Sequence, residues 1–451
     1  MRRIERNVRL RANLLALRDL TRTIFASRGG VAASAHTVLA NIFLLCFYVG
    51  TGIITARVLG PSGRGEQAAI VVWPQAVAYT LMLGLPSALL YNLKRFPAQA
   101  AQLFPAALLL GTMMGLLATI AGVIFIPLWL NEYPPEAVRL AQWLMLLAPL
   151  VLLHLMFIAA LQAREEFSLY NASRYFVPFA ALLAVALLAL VQSLTPLSAS
   201  LAYLLPEVPI FLWLLIRLWR SYHPVWQGLS TAFKRLTSYG LRSYGVDVLA
   251  LAVPLLDRAL VAGLLAPSIM GLYVVAVSTA RILDVFQSAA VSVLFPKASG
   301  RPVEEVLTLT GRAAKASTTL TAVAAIGLAL LGPWAISLVY GKEFLGAVAV
   351  FRILLMELVL AGTIWVLAQA FMAIGKPGIV TVLQVIGVGL TIPLLLVMVP
   401  RYGLEGAGLA ILIPTAVRFV LVLLSFPLIL KVRPPRFWPK YADLRELFSK
   451  K

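Results

Sequence analysis

Long apolar runs separated by short polar breaks fill almost the whole chain. A membrane-spanning helix needs about 20 consecutive apolar residues, and about twelve runs approach or exceed that length. They cover residues 33–56, 67–92, 103–130, 137–162, 169–191, 197–219, 242–265, 268–296, 313–340, 346–373, 378–399 and 404–430. The breaks contain turn-forming pairs such as Gly60-Pro61 and Pro134-Pro135. The pattern predicts an all-α, polytopic membrane protein of about twelve transmembrane helices.

Two segments of this pattern occur twice. The decapeptide Ala56–Gly65 returns 206 residues later as Ala262–Gly271, with five of ten positions identical. A second echo relates Ala160–Ala163 to Ala370–Ala373, at an offset of 210. An even number of spans in each half would give both halves the same orientation, as in parallel repeats related by an axis along the membrane normal. The repeats therefore predict two six-helix lobes.

The runs and repeats together predict five units along the chain. They are a cytoplasmic basic segment at 1–30, an N-terminal six-helix lobe at 31–220, a cytoplasmic linker at 221–241, a C-terminal six-helix lobe at 242–431, and a cytoplasmic basic tail at 432–451. The first unit suits either a basic helix lying on anionic lipid or a disordered tail that only sets topology.

Composition excludes a water-soluble surface. The chain is 61% hydrophobic and 12% charged, with a mean hydropathy of +0.92, whereas soluble domains carry roughly 25% charged residues. Lipid must therefore be the solvent for most of the surface. Cys46 is the only cysteine and the three histidines lie far apart, so we expect no disulfide, no metal site and no cofactor.

The net charge of +20 is explained by where the basic residues lie. Connections on one side of the predicted spans hold 28 of the 38 Lys and Arg residues. Connections on the other side hold only Arg57, Arg64, Arg139, Lys342 and Arg401. Because basic residues stay on the cytoplasmic side, we expect a multi-pass protein of the inner or plasma membrane with both termini cytoplasmic. The charge then gives no indication of a nucleic-acid partner.

The remaining charges lie inside the spans, where ionisable groups are costly and usually face protein or water. They are Arg174, Arg258, Arg281, Arg352 and Arg418, with the acids Glu207, Asp247, Asp257, Asp284 and Glu357. One interpretation is a hydrated cavity whose guanidinium groups hold an anionic head group, since their planar donor fork matches phosphate oxygens. The alternative is that acids and arginines pair and hold helices together, for example Arg281 with Asp284 or Asp247 with Arg258.

Several motifs resemble the oligosaccharide and polysaccharide flippases, of the O-antigen type, in the multidrug/oligosaccharidyl-lipid/polysaccharide exporter superfamily. These motifs run from the first predicted span to the last: Ala56–Glu66, Leu83–Ala88, Leu294–Ser299, Ala373–Pro377 and Pro400–Ala407. The resemblance implies a two-lobed bundle, similar to multidrug and toxic-compound extruders (MATE transporters), around a central cavity. It also implies a substrate, an oligosaccharide on an undecaprenyl diphosphate carrier within the bilayer.

The segment Ala280–Asp284 is also similar to the eighth span of lipid II flippases, whose cavity arginine matches Arg281. Two departures from that family favour another glycan. The stretch Val38–Thr55 lacks the arginines of its first span, and about twelve spans are predicted instead of the family's fourteen.

We therefore predict a flippase that works by alternating access in the synthesis of cell-surface polysaccharide. Arg281 is the first candidate for diphosphate contact, followed by Arg418, Arg258 and Arg174. Four acids could pair with these arginines or bind a coupling proton or cation: Asp284, Asp247, Asp257 and Glu357. The alternative function is a MATE-type multidrug or cation antiporter, which an acidic cavity would favour. An enzyme is disfavoured because the outer connections are short and carry no catalytic motif.

Overall fold

The computed structural model describes residues 30–298 and 300–437, and these form fifteen α-helices with no strand among them. In chain order the helices are α1 (Gly30–Thr80), α2 (Leu85–Arg95), α3 (Ala100–Trp129), α4 (Pro135–Leu144), α5 (Ala148–Ala163), α6 (Phe167–Leu190), α7 (Pro196–Leu204), α8 (Glu207–Tyr222), α9 (Leu229–Asp247), α10 (Val253–Leu264), α11 (Pro267–Ala280), α12 (Asp284–Ala298), α13 (Val303–Val339), α14 (Val348–Ala373) and α15 (Pro377–Ser425). Nearly all of the predicted basic segment 1–30 and most of the tail 432–451 lie outside the described residues.

Nine helical segments of the described chain are long and apolar enough to cross a membrane. Two of them, Phe43–Thr80 and Pro377–Leu430, are interrupted by a glycine with a left-handed backbone: Gly60 at φ 66° and Gly403 at φ 54°. A further helical stretch runs from α9 through a π-helical turn, Val248–Ala252, into α10. The all-helical membrane fold is confirmed, and the count of twelve spans stays a prediction.

Side chains are distributed as lipid exposure requires. Large apolar residues point outward, including Leu190 at 79% and Leu330 at 74% exposed. The interior is filled by fully buried aromatic residues, such as Phe104 and Phe157, together with many alanines and glycines. Small residues let membrane helices approach closely, so packing rather than water exclusion holds the helices together.

The two copies of the repeated decapeptide contact each other. A Cβ added at Gly65 would overlap the carbonyl of Pro267, and one added at Gly271 would overlap the carbonyl of Pro61. Pro61 and Pro267 are equivalent positions of the repeat, as are Gly65 and Gly271. The contact between α1 and α11 is therefore reciprocal, which is the geometry of surfaces related by a two-fold axis.

The second echo has the same backbone in both halves. Helix α5 ends at Ala163 with Glu165 at φ 60°, and α14 ends at Ala373 with Gly375 at φ 79°. The hydrogen bonds also match: Glu166 N to Leu161 O at 3.0 Å and Lys376 N to Phe371 O at 2.8 Å. Both are 6→1 bonds of a Schellman cap. Equivalent positions 210 residues apart thus end equivalent helices.

We predict that Gly271→Ala lowers the free energy of unfolding of the purified protein by about 1–3 kcal/mol, because a methyl group there forces α1 and α11 apart. The measurement is the unfolding midpoint in detergent. Gly327→Ala on α13 is the matched control, since nothing lies within 4 Å of a Cβ at that position. Equal stability of the two variants would contradict the close approach at Gly271.

Candidate functional site

An elongated cavity of about 570 Å³ lies among α10, α11, α12, α14 and α15. Along α14 its lining runs from Leu354 to Ala368, a length of about 21 Å at 1.5 Å per residue. Six ionisable side chains line it, three basic and three acidic: Arg258, Arg281, Arg418, Asp257, Asp284 and Glu357. All six belong to the half of the chain predicted as the C-terminal lobe.

Irregular backbone places several of these groups. Asp257 and Arg258 lie in α10, which directly follows the π-helical turn Val248–Ala252. Arg281 begins a 3-10 turn that links α11 to α12, and Asp284 follows it. Single π turns inside α-helices are frequent at functional sites. The local changes in helical pitch rotate these side chains toward one cavity.

The six charges are not joined into ion pairs. Among the described residues, none of the oppositely charged contacts within 4.0 Å connects two of them. In particular, Arg281 and Asp284 do not form the local pair that their spacing allows. Arg281 is exposed, and the other five are half-buried. Charges at this depth that lack close partners require water, so the cavity suits a hydrated chamber.

Hydrogen bonds to neutral groups position two parts of the lining. The Thr415 hydroxyl donates to Glu357 Oε1 at 3.0 Å, and Gln287 Nε2 donates to the Leu358 carbonyl at 2.9 Å. The Arg418 side chain packs against Gly387, and its Nε has no hydrogen-bond partner in the described chain. A buried donor without a partner is costly in an empty site. The Nε of Arg418 is therefore an unsatisfied donor in the described chain.

Thr415 and Gln287 were not among the residues predicted from the sequence. Each lies three positions from a predicted residue on the same helix, Thr415 from Arg418 and Gln287 from Asp284. Residues three apart share a helical face, and this spacing could have revealed both.

Two predicted residues lie outside this cavity. Arg174 is on α6 and exposed, with its guanidinium 5.6 Å from the ring centre of Tyr170. Asp247 ends α9 and accepts a hydrogen bond from the Ser87 hydroxyl at 2.8 Å, so it connects α9 to α2 and not to Arg258. The structure does not bring these two side chains together with the other six.

The N-terminal half has a smaller polar cluster of its own. His154 Nδ1 lies 4.0 Å from Glu207 Oε1, and both side chains are mostly buried. The cluster joins α5 to the start of α8. Its chemistry differs from that of the larger cavity because it pairs an acid with an imidazole rather than collecting arginines.

On the side of the cavity that we expect to face outward, hydrogen bonds and backbone contacts join the two halves of the chain. We call this set of contacts the outer seam. Three side chains of the N-terminal half donate hydrogen bonds to carbonyls of the other half: Arg57 to Val339 (2.8 Å) and Leu338, Trp129 to Ala259 (3.2 Å), and Tyr133 to Leu265 (3.3 Å). Arg64, which we had assigned to an outer connection, is buried in α1 and bonded to Gln67. The reciprocal contact of Gly65 and Gly271 lies in the same seam.

Comparison with known proteins supports a transporter fold. A family profile described as polysaccharide biosynthesis protein matches residues 54–349. The solved structure of the lipid II flippase MurJ, in an inward closed conformation, superposes with a TM-score of 0.73 at 15% identity, covering 88% of this chain and 87% of that one. An inward-facing multidrug resistance MATE family transporter gives 0.66 at 17% identity, covering 84% and 93%. A search of curated proteins finds no match.

A third solved structure is described as a transporter of the same superfamily from Pyrococcus furiosus with a binding pocket of reverse polarity. It gives a TM-score of 0.59 at 16% identity and covers 87% of this chain and 93% of its own. At identities this low, the superpositions establish the shared fold alone. The chemistry of each pocket is set by its own side chains. The six charges of the cavity must therefore be interpreted directly.

We predict that Thr415→Val destabilises the protein by about 1–3 kcal/mol, because it removes the hydroxyl that donates to the half-buried carboxylate of Glu357. Thermal unfolding of the purified protein measures the change. The control is Thr321→Val on α13, since the Thr321 hydroxyl is buried without a partner and its loss should be neutral or stabilising. Equal effects of the two substitutions would show that the hydrogen bond to Glu357 is unimportant.

Proposed function

Because the chain belongs to the polysaccharide biosynthesis protein family, we propose that it turns a polyprenyl-diphosphate-linked oligosaccharide from the cytoplasmic to the outer leaflet. The observation that supports this proposal is the cavity with Arg258, Arg281 and Arg418 free of close ion pairs. The fold is that of flippases and transporters rather than of an enzyme. The polyprenyl chain and the sugar are our inference from the chemistry.

The physical problem in such a reaction is the diphosphate. An ionised group moved unpaired into hydrocarbon costs many kcal/mol, so the head group needs a hydrated, basic path while the tail stays in lipid. Three guanidinium groups around one chamber offer several paired donors for phosphate oxygens. Arg281 is the most accessible of them, and we assign it the first contact, with Arg418 and Arg258 completing the site.

The acids of the chamber have a separate role in this proposal. Asp257, Asp284 and Glu357 balance the three arginines in the empty site. A diphosphate that enters adds two negative charges to this balance, and protons or cations taken up by two of the acids restore it. This exchange would couple the movement of the substrate to that of an ion. The arginines of the cavity would hold the substrate, and its acids would hold the ion.

The contacts of the outer seam are consistent with alternating access. Along α15 the cavity extends from Thr391 to Val380, toward the end of the helix that we expect to be cytoplasmic. On the opposite side, contacts between the two halves close the protein. We propose that the closed side opens when the loaded lobes rotate. The protein would then lie in the inner or plasma membrane with both termini in the cytoplasm.

The alternative is a multidrug or cation antiporter, because a MATE family transporter shares the fold. A cationic drug would need an excess of acid in its chamber. The cavity has equal numbers of acidic and basic groups, and Arg281 is its most exposed charge. A cation is therefore repelled at the accessible part of the site, which favours the anionic substrate.

We predict that Arg281→Ala abolishes glycan export in host cells that lack another copy of the gene, while the protein level persists. It should also weaken binding of a short-chain prenyl diphosphate to the purified protein by about 10- to 100-fold, the value of one or two charge-assisted hydrogen bonds. Surface glycan is measured by antibody or lectin labelling.

Arg352→Ala is the matched control for that experiment. Arg352 is also an arginine at membrane depth, but it donates to the Ala329 carbonyl at 3.2 Å and does not line the cavity. Normal export in the Arg281 variant, or equal loss in both, would contradict the assignment.

We further predict that cells producing the protein do not export a fluorescent cationic dye faster than cells with an empty vector. Dye efflux is followed by the loss of cell fluorescence. Efflux that depends on Asp257 and Glu357 would support the antiporter and refute the flippase.

A further inference from the structure

A basic pocket separate from the cavity lies at the C-terminal end of α8. It has a volume of about 450 Å³. Its walls are the last turns of α8 and the short connection between α5 and α6: Glu166, Trp213, Ile216, Arg217, Leu218, Arg220 and Ser221. None of these residues lines the transport cavity. Arg217 and Arg220 are among the 28 basic residues on the side that the sequence predicts to be cytoplasmic.

The pocket carries excess positive charge. Glu166 accepts from Arg164 Nε at 2.6 Å and from Arg217 Nη2 at 3.0 Å, so one carboxylate joins two guanidinium groups. These hydrogen bonds, with Arg164 first, hold the pKa of Glu166 below its usual value and keep it ionised at neutral pH. Arg220 has no acid within 4.0 Å in the described chain. The lining residues Arg217, Arg220 and Glu166 together leave one positive charge, and Arg164, which bonds to Glu166 from outside the lining, adds a second.

The rim of the pocket has the character of a membrane surface. Trp213 is 45% exposed and Ile216 is 53% exposed. Trp219 lies in the last turns of α8 and Trp226 in the segment that follows, and their ring centres are 6.1 Å apart. Tryptophan concentrates where hydrocarbon meets the polar head groups. The guanidinium groups of the pocket are therefore placed at head-group depth, beside acyl chains.

Helical spacing brings both features to one face. Trp213, Arg217 and Arg220 are separated by four and three residues along α8, and such positions form one stripe on a helix. The stripe presents an apolar ring toward the bilayer interior and donors toward its surface. A ligand that satisfies both must have an acyl part and an anionic part.

We propose that this pocket binds the phosphate head group of an anionic membrane phospholipid in the leaflet that we expect to be cytoplasmic. Arg220 and the outer edge of Arg217 contact the phosphate, and Trp213 and Ile216 contact the first acyl carbons. The glutamate bridge positions Arg217 without neutralising the site. The proposal does not depend on what the central cavity transports.

The test uses the full-length protein in a mild detergent. Phosphatidylglycerol is titrated, and bound lipid is counted by native mass spectrometry, with the unfolding midpoint as a second readout. Phosphatidylcholine and inorganic phosphate are titrated in parallel. We expect saturable binding of phosphatidylglycerol at one site, and about tenfold weaker binding in Arg220→Gln, which removes a donor to a charged acceptor.

The control variant is Arg301→Gln, which removes one arginine on the side that we also expect to be cytoplasmic. Arg301 is paired with Glu305 at 3.0 Å and does not line the pocket. Equal loss of bound lipid in both variants would show that lipid binding depends only on the total positive charge of this side of the protein, and would overturn the proposal. Equal binding of phosphatidylcholine, or full competition by millimolar phosphate, would overturn the anionic-lipid assignment.

A structural effect of the substitution is separable. Arg220 has no ion pair to lose, so Arg220→Gln should unfold at the wild-type midpoint when lipid is absent. If that midpoint falls, Arg220→Lys retains the charge but not the planar donor fork, and Trp213→Leu retains the fold of α8 while removing the ring. If Arg220→Lys and Trp213→Leu both bind phosphatidylglycerol with the wild-type affinity, the proposal is refuted.

Discussion

The cost of charge at bilayer depth is the constraint on which the rest of this structure depends. Arginine and carboxylate side chains inside a membrane must be hydrated, paired or bound to a ligand. Six such groups converge around the cavity, and no two of them approach within an ion-pair distance in the described chain. A chamber that holds water is the arrangement that remains. The helices around it then need irregular turns at Val248–Ala252 and Arg281–Leu283 to direct their side chains inward.

The duplicated sequence provides the contact between the two halves on the side that we expect to face outward. Gly65 and Gly271 allow two helix starts to touch through their backbones, each copy contacting the other's proline carbonyl. Contacts made by backbone rather than by interlocked side chains can separate without repacking a core. Four hydrogen bonds from three side chains to carbonyls, among them that of Tyr133, reinforce the closed seam. Such bonds are individually worth about 1 kcal/mol, which is suited to an equilibrium between open and closed states.

The sequence was sufficient for the all-helical membrane fold because the apolar runs that predict it extend over tens of residues. The number of spans, the two lobes and the orientation, which were inferred from the run boundaries, the echoes and the basic residues, stay predictions. The sequence was less informative about the site, because depth along a run does not say which way a side chain points. Arg258 and Arg281 face the cavity, whereas Arg174 lies over Tyr170 and Asp247 bonds to Ser87. The contact of Arg174 is with a residue four positions earlier on α6, but that of Asp247 joins helices far apart in the chain, which no local pattern contains.

The two arginine-containing sites of the chain differ in how their arginines are restrained, and the difference follows from their surroundings. In the pocket at the end of α8, Glu166 holds Arg217 in place, since an exposed guanidinium would otherwise be mobile in water. In the cavity, Arg418 is held by packing against Gly387, and its Nε has no partner in the described chain. Under the proposed function, a bridge to an acid there would compete with an incoming anion. The absence of close pairs among the cavity charges of the described chain would then serve binding and release, while a fixed pair is compatible with the lipid that we propose at α8.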